Sequence, residues 1–265
     1  NMREAAFRIA EIAKQNCIIV IESSSDAADH YDKYLDRNVD YVVIGEGELT
    51  LKELIHKLDK NENDFESIDG LAFRKDGKTI RTSPRQILKE LDTLPMPAWD
   101  LININNYKDI WLNNNKYFSL NIATTRGCPF KCNWCAKPIY GNRYNIRSPK
   151  NVVDEITFLQ KNFGVNHFWM CDDIFGLKPG WIQEFRDIVK ERGLTFKYKI
   201  QSRVDLLLQE DTIEALAQSG AETVWVGAES GSQKILDAMD KGTTVEEIQK
   251  ATELLKKNKL RVAFF

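Results

Sequence analysis

Hydrophobic and polar positions in the first 60 residues alternate between two periods. Helical spacing appears in the stretches AAFRIAEIAKQN, DAADHYDKYLDRN and TLKELIHKLDKN, and the apolar runs CIIVIE and YVVIG lie between them. Apolar positions that recur every three to four residues are typical of amphipathic helices, and short apolar runs are typical of buried strands. This order predicts two parallel strands flanked by helices, which is part of a doubly wound α/β sheet.

Residues 61–117 show a different pattern and are predicted to form a connector. The stretch LAFRKDGKTIRTSP predicts a hairpin that turns at Asp76 and Gly77, and the prolines in LDTLPMPAWDLI prevent a long helix. The asparagine-rich stretch NINNYKDIWLNNNK is polar, so we expect turns at the surface there.

Regular alternation of strands and helices returns in residues 118–265. Strands are predicted at FSLNIAT, HFWMCDD, FKYKIQS, TVWVGAE and RVAFF, with helices between them that end at Gly164, Gly193 and Gly220. Five such units predict an α/β fold that forms most of a six-unit parallel barrel, with its chemistry at the carboxyl edge of the sheet. The residues at that edge are a cysteine-containing loop, Asp172, Asp173, Gln201, Ser202, Arg203, Glu229 and Ser230.

Composition and charge narrow the functional classes. The 265-residue chain has 43% hydrophobic residues and a formal net charge of -2, and no stretch reaches the roughly 18 uncharged apolar residues that a membrane span needs. We therefore expect a cytoplasmic protein without a nucleic-acid partner bound through phosphates.

Five cysteines indicate metal or redox chemistry rather than a disulfide framework. Two of them, Cys17 and Cys171, are expected to be buried apolar residues.

The other three cysteines lie within eight residues, at Cys128, Cys132 and Cys135 in the stretch TTRGCPFKCNWCAKP. Three thiolates this close together can bind one inorganic centre, so the spacing predicts a metal or iron-sulfur site. A zinc ion needs a fourth ligand, and the candidates are Cys17, Cys171 and three histidines outside the loop. A four-iron cubane bound by three cysteines instead leaves one iron open as a coordination site. The sequence favours the iron-sulfur cluster.

The cysteine motif and four further stretches resemble the radical S-adenosylmethionine enzymes. RGCPFKCNWCAKP follows a predicted first strand, as the cluster motif of that family does. The stretches VDYVVIGEGELTLKELIHKL, IDGLAFRKDGK, LDTLPMPAWDLI and VWVGAESGSQKILDAMDKGTT are similar to the cobalamin-dependent subgroup. The resemblance implies a partial (β/α)6 radical S-adenosylmethionine barrel in residues 118–265, a connector in 61–117 and part of a Rossmann-like cobalamin-binding domain in 1–60.

The same resemblance implies a [4Fe-4S] cluster on the three cysteines, with S-adenosylmethionine on its open iron. Trp134 is then expected beside the adenine, and a packing role under the loop is the alternative. Arg203 suits the methionine carboxylate, and an ion pair with Asp205 is its alternative. Glu229 and Ser230 are expected at the polar groups of the cofactor, and a structural hydrogen bond is the alternative for Glu229.

Cobalamin is expected at the GEGE stretch, where Gly45 and Gly47 follow the second predicted strand. A tight turn into a helix capped by Thr50 is the alternative. The subgroup usually has a glycine pair after the preceding strand, whereas this chain has Glu22 and Ser23 there.

The function implied by the resemblance is reductive cleavage of S-adenosylmethionine to a 5'-deoxyadenosyl radical. Cobalamin-dependent methyl transfer, or ring formation, then takes place on an unactivated carbon of a small-molecule substrate. A flavodoxin or ferredoxin is expected to donate the electron. A methylthiotransferase-like enzyme and a non-enzymatic iron-sulfur or zinc module are the alternatives. We also expect the chain to be part of a longer protein, because RVAFF is a buried type of strand with no element after it.

Overall fold

The computed structural model describes residues 2–137 and 139–265. They divide into two compact units, the first comprising residues 2–88 with 139–140 and the second residues 89–137 with 141–265. Among the described residues, no helix is both long enough and apolar enough to cross a membrane.

The first unit contains a four-stranded sheet in the order β1-β2-β3-β4. Its elements are α1 (Met2–Gln15), β1 (Ile21–Glu22), α2 (Ser25–Asp29), α3 (Tyr31–Leu35), β2 (Tyr41–Val43), α4 (Glu48–Asp59), β3 (Leu71–Lys75) and β4 (Lys78–Arg81), with a 3-10 turn at Phe65–Ser67. The strands β1 and β2 are parallel, as predicted, and β3 and β4 form the predicted antiparallel hairpin. Asp76 and Gly77 form its turn with φ angles of 49° and 73°.

Two details of the first unit differ from the sequence-based expectation. Only the end of CIIVIE is a strand, because Cys17 has a left-handed φ of 57° after α1 and the amide of Ile18 bonds back to the carbonyl of Ala13. The hairpin pairs with β2 and therefore belongs to the first sheet, although its residues were expected in the connector. The domain limits at residues 60 and 117 stay a prediction.

The second unit contains a five-stranded, all-parallel sheet in the order β11-β10-β9-β8-β5. Its strands are β5 (Ser119–Ile122), β6 (Thr125–Arg126), β7 (Asn145–Ile146), β8 (His167–Met170), β9 (Lys197–Ser202), β10 (Ala221–Val226) and β11 (Arg261–Phe264). Strands β6 and β7 form a separate antiparallel pair. The five parallel strands confirm the predicted α/β architecture.

The helices of the second unit are α5 (Ile104–Asn115), α6 (Pro149–Phe163), α7 (Trp181–Glu191), α8 (Val204–Leu207), α9 (Thr212–Gln218), α10 (Gln233–Ala238) and α11 (Val245–Lys257), with 3-10 turns at Leu91–Thr93 and Trp99–Leu101. The turns predicted for the asparagine-rich stretch are wrong, because that stretch forms α5. No glycine or proline interrupts it, and buried Ile104 fixes its start. Its surface position is confirmed, since most of α5 is exposed.

The core of the second unit lies between one face of the sheet and the helices. Phe168, Tyr198 and Val224, from three adjacent strands, are fully buried in one cluster with Ile156 of α6 and Leu216 of α9. Because side chains alternate across a strand, the residues between them point to the opposite face of the sheet. The carboxyl ends of all five strands meet at one edge, which is where the cysteine loop begins.

Candidate functional site

A buried aspartate fixes the start of the cysteine loop. Asp172 follows β8 by two residues and is only 1% exposed. Its Oδ1 accepts hydrogen bonds from the amides of Thr124 (2.7 Å) and Thr125 (2.8 Å), and its Oδ2 accepts one from the Thr124 hydroxyl (2.5 Å). Burial raises the pKa of Asp172 to about 6, although these three donors favour the ionised form. Asp172 therefore joins the ends of the two neighbouring strands β5 and β8.

The loop itself needs a glycine at its first bend. Gly127 has a φ of 78°, and a Cβ added there would lie 2.3 Å from the carbonyl oxygen of Arg143. The short β6–β7 pair brings the two sides of the loop together at this point. The ammonium group of Lys137 donates to the carbonyl oxygens of Cys128 (3.3 Å) and Phe130. These contacts stabilise a compact loop without occupying any of the three sulfurs.

The three thiols of the loop differ in their environment. Cys128 and Cys132 are partly buried and Cys135 is exposed. The amide of Cys135 donates to the carbonyl of Cys132 (3.2 Å), so the last two cysteines lie on one turn. Burial is the main cause that raises the pKa of the Cys128 thiol. In the described part of the chain, no three His, Cys, Asp or Glu side chains converge as ligands of a single metal ion.

This donor set fits a cubane cluster. Each thiolate of such a cluster binds its own iron, so the three sulfurs need not meet at one point as the ligands of a single ion do. Three thiols on one glycine-bent loop, with sulfurs partly or fully open to solvent, meet that requirement. The assignment of Cys128, Cys132 and Cys135 as cluster ligands stays a prediction.

A buried arginine contacts the loop from the end of β9. Arg203 is 6% exposed, and its Nη1 lies 3.7 Å from the sulfur of Cys132. Its guanidinium also stacks over the ring of Phe130 at 3.8 Å from the centroid. The ion pair with Asp205, proposed as the alternative role, is present at 2.9 Å, and Nη2 donates to the carbonyl of Lys241 at 2.7 Å. Arg203 thus places a fixed positive charge beside the sulfur of Cys132.

The end of β10 carries a second charged pair. Glu229 has a left-handed φ of 60°, and its carboxylate accepts a hydrogen bond from the ammonium group of buried Lys241 at 2.9 Å. Gly227 provides the space for this ammonium group, because a Cβ there would lie 2.9 Å from Lys241 Nζ. Ser230 uses its hydroxyl to accept a bond from the amide of Ser232. Lys241 was not predicted from the sequence, in which nothing distinguishes it from the other lysines.

The segment that precedes the last cysteine is anchored to α10. The side chain of Asn133 donates to the carbonyl of Ala238 (2.6 Å) and its amide donates to the carbonyl of Met239 (3.1 Å). The adjacent Trp134 is 51% exposed, so its indole is available to a ligand. The structure thus brings together the loop, Arg203 and the segment 238–241. The contacts of Asn133 could not be predicted from the spacing of the cysteines.

The glycines predicted for cobalamin lie between β2 and α4 in the first unit. Gly45 has a φ of 82°, and a Cβ there would meet nothing within 4 Å. The positive φ explains why a glycine occupies this position, and the space around its Cα is open. A Cβ on Gly47 would lie 3.6 Å from the hydroxyl oxygen of Ser23, so the two strand ends are close together. The predicted cap at Thr50 is wrong, because α4 begins at Glu48 and Thr50 therefore lies inside the helix. The hydroxyl of Thr50 donates to the carbonyl of Asp69 instead.

The predicted burial of Cys17 and Cys171 is wrong, since both residues are exposed. Cys17 lies in the left-handed turn after α1. Cys171 follows β8 on the face of the sheet that the helices do not cover. Protein atoms around it nevertheless desolvate the thiol and raise its pKa to about 11, so it is protonated at neutral pH.

Comparisons with known proteins agree with the arrangement of strands and cysteines. Residues 122–265 match the Radical SAM superfamily. An uncharacterised methyltransferase of Pyrococcus horikoshii is 32% identical over 83% of this chain and 46% of its own length. The anaerobic magnesium-protoporphyrin IX monomethyl ester cyclase of Rubrivivax gelatinosus is 32% identical over 83% of this chain and 40% of its own length. The chain therefore spans less than half the length of these relatives.

A solved structure extends the similarity to both units. The cobalamin-dependent S-adenosylmethionine radical enzyme OxsB, solved with aqua-cobalamin and S-adenosylmethionine bound, matches 98% of this chain with a TM-score of 0.81 and 20% identity. The match covers 38% of the OxsB chain. At this level of identity the likeness concerns the fold.

Proposed function

Because this chain belongs to the radical SAM superfamily, we propose that it cleaves S-adenosylmethionine reductively and uses the resulting 5'-deoxyadenosyl radical on an unactivated carbon. The outcome is methyl transfer or ring formation. The observation that supports this proposal is the position of the cysteine loop at the carboxyl edge of a parallel sheet, with the guanidinium of Arg203 beside the sulfur of Cys132. A bound [4Fe-4S] cluster supplies the electron that breaks a C–S bond of the cofactor.

The residues of the chain then have distinct roles. Cys128, Cys132 and Cys135 hold the cluster. Arg203 offsets the negative charge of the thiolate-ligated cluster and is available to the methionine carboxylate, since its guanidinium has donors beyond those used by Asp205 and Lys241. The exposed indole of Trp134 stacks on the adenine.

The segment after β10 completes the proposed cofactor site. Glu229 and Ser230 receive the polar groups of the cofactor at the carboxyl end of this strand. Lys241 holds the carboxylate of Glu229 in position by their ion pair.

We also propose that cobalamin binds to the first unit. Gly45 leaves open space after the carboxyl end of β2, with Gly47 two residues further on, and ligands of doubly wound sheets bind at this end of the strands. The fold similarity to the cobalamin-dependent enzyme OxsB supports this assignment. We propose a flavodoxin or ferredoxin as the electron donor and a small molecule as the substrate. The exposed thiols suit a protein in a reducing cytoplasm.

The alternative enzyme, a methylthiotransferase-like protein, is expected to need a second set of three cysteines. Outside the loop, this sequence contains Cys17 and Cys171, which lie in different units. A non-enzymatic electron carrier is expected to ligate every iron, whereas three cysteines leave one iron open. The donor set therefore favours the radical enzyme over both.

Anaerobic reconstitution tests the proposal. The chain is expected to bind about four iron atoms through the loop and, with dithionite, to release 5'-deoxyadenosine from S-adenosylmethionine. Cys128→Ala, Cys132→Ala and Cys135→Ala are each expected to abolish both results, whereas Cys17→Ala serves as the matched control and keeps them. Stoichiometric zinc without an iron signal, or full cleavage by a loop variant, contradicts the proposal.

A further inference from the structure

A buried ion pair joins the start of α6 to the residue that precedes this helix by two positions. Glu155 of α6 is 1% exposed, and its Oε2 accepts a hydrogen bond from Nη1 of Arg147 at 2.6 Å. A carboxylate is costly to bury, and an apolar pair of similar size often stabilises a protein as well as a buried ion pair does. Stability alone therefore does not account for the pair, and the further contacts of Arg147 show which segment it holds.

Arg147 binds the segment that leads into the cysteine loop. Its Nη1 also donates to the carbonyl of Ala123 at 2.9 Å, and its backbone amide donates to the carbonyl of Thr124 at 2.9 Å. Its Nε donates to the side chain of Asn151 at 2.7 Å, and these bonds together fix the plane of the guanidinium. One residue thus binds two consecutive carbonyls directly after β5.

Arg147 and Asp172 bind complementary groups of the same short segment. Asp172 accepts hydrogen bonds from the amide and hydroxyl of Thr124 and from the amide of Thr125, whereas Arg147 donates to the carbonyls. Both backbone polar groups of Thr124 therefore have a partner, and Cys128 follows four residues later. The direction in which the chain enters the loop depends on both partners, and a shift of Arg147 displaces the first cysteine.

The same ion pair is bonded to the connector. The indole Nε1 of Trp99 donates to Oε1 of Glu155 at 3.1 Å. The carboxylate of Asp92 accepts a hydrogen bond from the amide of Ser148, the residue after Arg147, at 2.9 Å. Trp99 and Asp92 lie in the two 3-10 turns of the second unit. These turns therefore help to hold Arg147 and Glu155 in place.

We propose that Arg147, held by Glu155, is a positioning residue that sets where the cysteine loop begins and thereby where the cluster lies for the reaction. This inference rests on the proposed radical function, because it concerns the same site. Arg147 and Glu155 act through the backbone of residues 123–125 and touch neither cluster nor cofactor in this assignment. A displacement of about 1 Å can lower the rate of an enzyme about 100-fold, so the pair matters more for the reaction than for stability.

A double variant removes the ion pair without leaving a buried charge. In Arg147→Met with Glu155→Gln, the amide oxygen of the new side chain still accepts from Trp99. We expect the midpoint of urea unfolding of the cluster-free chain to change by less than about 0.5 M. The matched control is Lys150→Met with Asp154→Asn, which removes an exposed ion pair of the same helix with a distance of 2.7 Å.

Hydrogen exchange in the cluster-free chain tests the positioning directly. The amides of Thr124, Thr125 and Cys128 are expected to exchange at least about 10-fold faster in the double variant, and at the wild-type rate in the control. Wild-type exchange in the folded double variant overturns the inference.

If the double variant does not fold, Arg147→Lys replaces it in the exchange measurement. This variant keeps the positive charge opposite Glu155 but lacks the planar fork that binds the carbonyl of Ala123 and the side chain of Asn151 together. The same three amides are expected to exchange at least about 10-fold faster. Wild-type exchange in folded Arg147→Lys overturns the inference.

Cleavage of S-adenosylmethionine by the reconstituted chain tests the consequence for the reaction. Release of 5'-deoxyadenosine per bound cluster, at saturating S-adenosylmethionine with dithionite, is expected to be at least about 10-fold slower in the double variant and unchanged in the control. Faster exchange together with wild-type cleavage overturns the role in the reaction. Absence of cleavage by the wild type contradicts the radical function instead, and the exchange rates then still decide whether Arg147 positions the loop.

Discussion

The guanidinium of Arg203 lies 3.7 Å from the sulfur of Cys132, although 71 residues separate them in the chain. The same guanidinium bonds to Asp205 and to the carbonyl of Lys241. One buried cation therefore connects the cysteine loop, the end of β9 and the segment after α10. Its loss affects both the folding of this edge and the charge beside the proposed cluster.

Arg203→Ala is expected to lower the free energy of unfolding of the cluster-free protein by about 2 kcal/mol, because Asp205 and a buried carbonyl lose their donor. Arg203→Lys keeps the charge and is expected to retain the cluster with a smaller loss of stability. Both variants are expected to weaken S-adenosylmethionine binding, measured by calorimetry. The control is Arg186→Ala on α7, which breaks an ion pair with Asp211 before α9 and should leave cofactor affinity unchanged. Unchanged cofactor affinity in both Arg203 variants would show that Arg203 has only a structural role.

Asp172 gives stability a specific dependence on pH. Its pKa is raised to about 6 in the folded protein from 3.8, so the folded state binds more protons than the unfolded state between these values. The contribution of this group to stability is therefore greatest below about pH 4 and falls as the pH rises to about 6. Asp172→Asn is expected to flatten this part of the profile in urea unfolding of the cluster-free protein, because the amide oxygen still accepts from the two threonine amides.

Asp172→Ala leaves the amides of Thr124 and Thr125 without an acceptor and is expected to cost about 2–4 kcal/mol at pH 7. A profile of Asp172→Asn that still loses stability between pH 4 and 6 as wild type does would contradict the assignment to Asp172. Equal stability of the Ala and Asn variants would contradict the structural role of the three hydrogen bonds.

Much of the second unit could be predicted because its sequence is locally consistent. Apolar runs such as HFWMC and TVWV are bounded by turn residues, and Ser148 and Gly164 mark the two ends of α6. The prediction failed where a single backbone conformation decided the outcome. The left-handed turn at Cys17 shortens β1 and exposes the thiol, and no residue in CIIVIE indicates such a turn.

The candidate site could be predicted only in its local part. Three cysteines in eight residues are visible in the sequence, as are the polar residues at the strand ends. The partners of those residues come from distant segments, as with Lys241 for Glu229 and Asn133 for the end of α10. Such pairs depend on how the strands are ordered in the sheet, and this order is a property of the whole fold.

Gly127→Ala is expected to prevent cluster assembly. The new Cβ would lie 2.3 Å from the backbone oxygen of Arg143, and the φ of 78° is unfavourable for alanine, so the loop must move. Gly141→Ala is the matched control on the same loop, because its φ is 63° and its Cβ meets nothing within 4 Å. We expect Gly141→Ala to cost about 1 kcal/mol and to keep the cluster. Iron and sulfide content after anaerobic reconstitution measures both, and equal content in the two variants would contradict the close approach at Gly127.

The pair of Glu229 and Lys241 can be tested through the glycine that makes room for it. Lys241→Met leaves the carboxylate of Glu229 without its partner in a nearly buried position. We expect the free energy of unfolding to fall by about 3 kcal/mol and S-adenosylmethionine to bind more weakly.

Gly227→Ala displaces only the ammonium end of Lys241, which lies 2.9 Å from the new Cβ. It is therefore expected to weaken cofactor binding with a smaller effect on stability, because a flexible side chain moves more easily than the backbone. Gly231→Ala is the control, since a Cβ there meets nothing within 4 Å. Calorimetry gives the affinity and urea unfolding gives the stability. If Gly227→Ala binds the cofactor as Gly231→Ala does, the pair stabilises the fold without positioning Glu229 for a ligand.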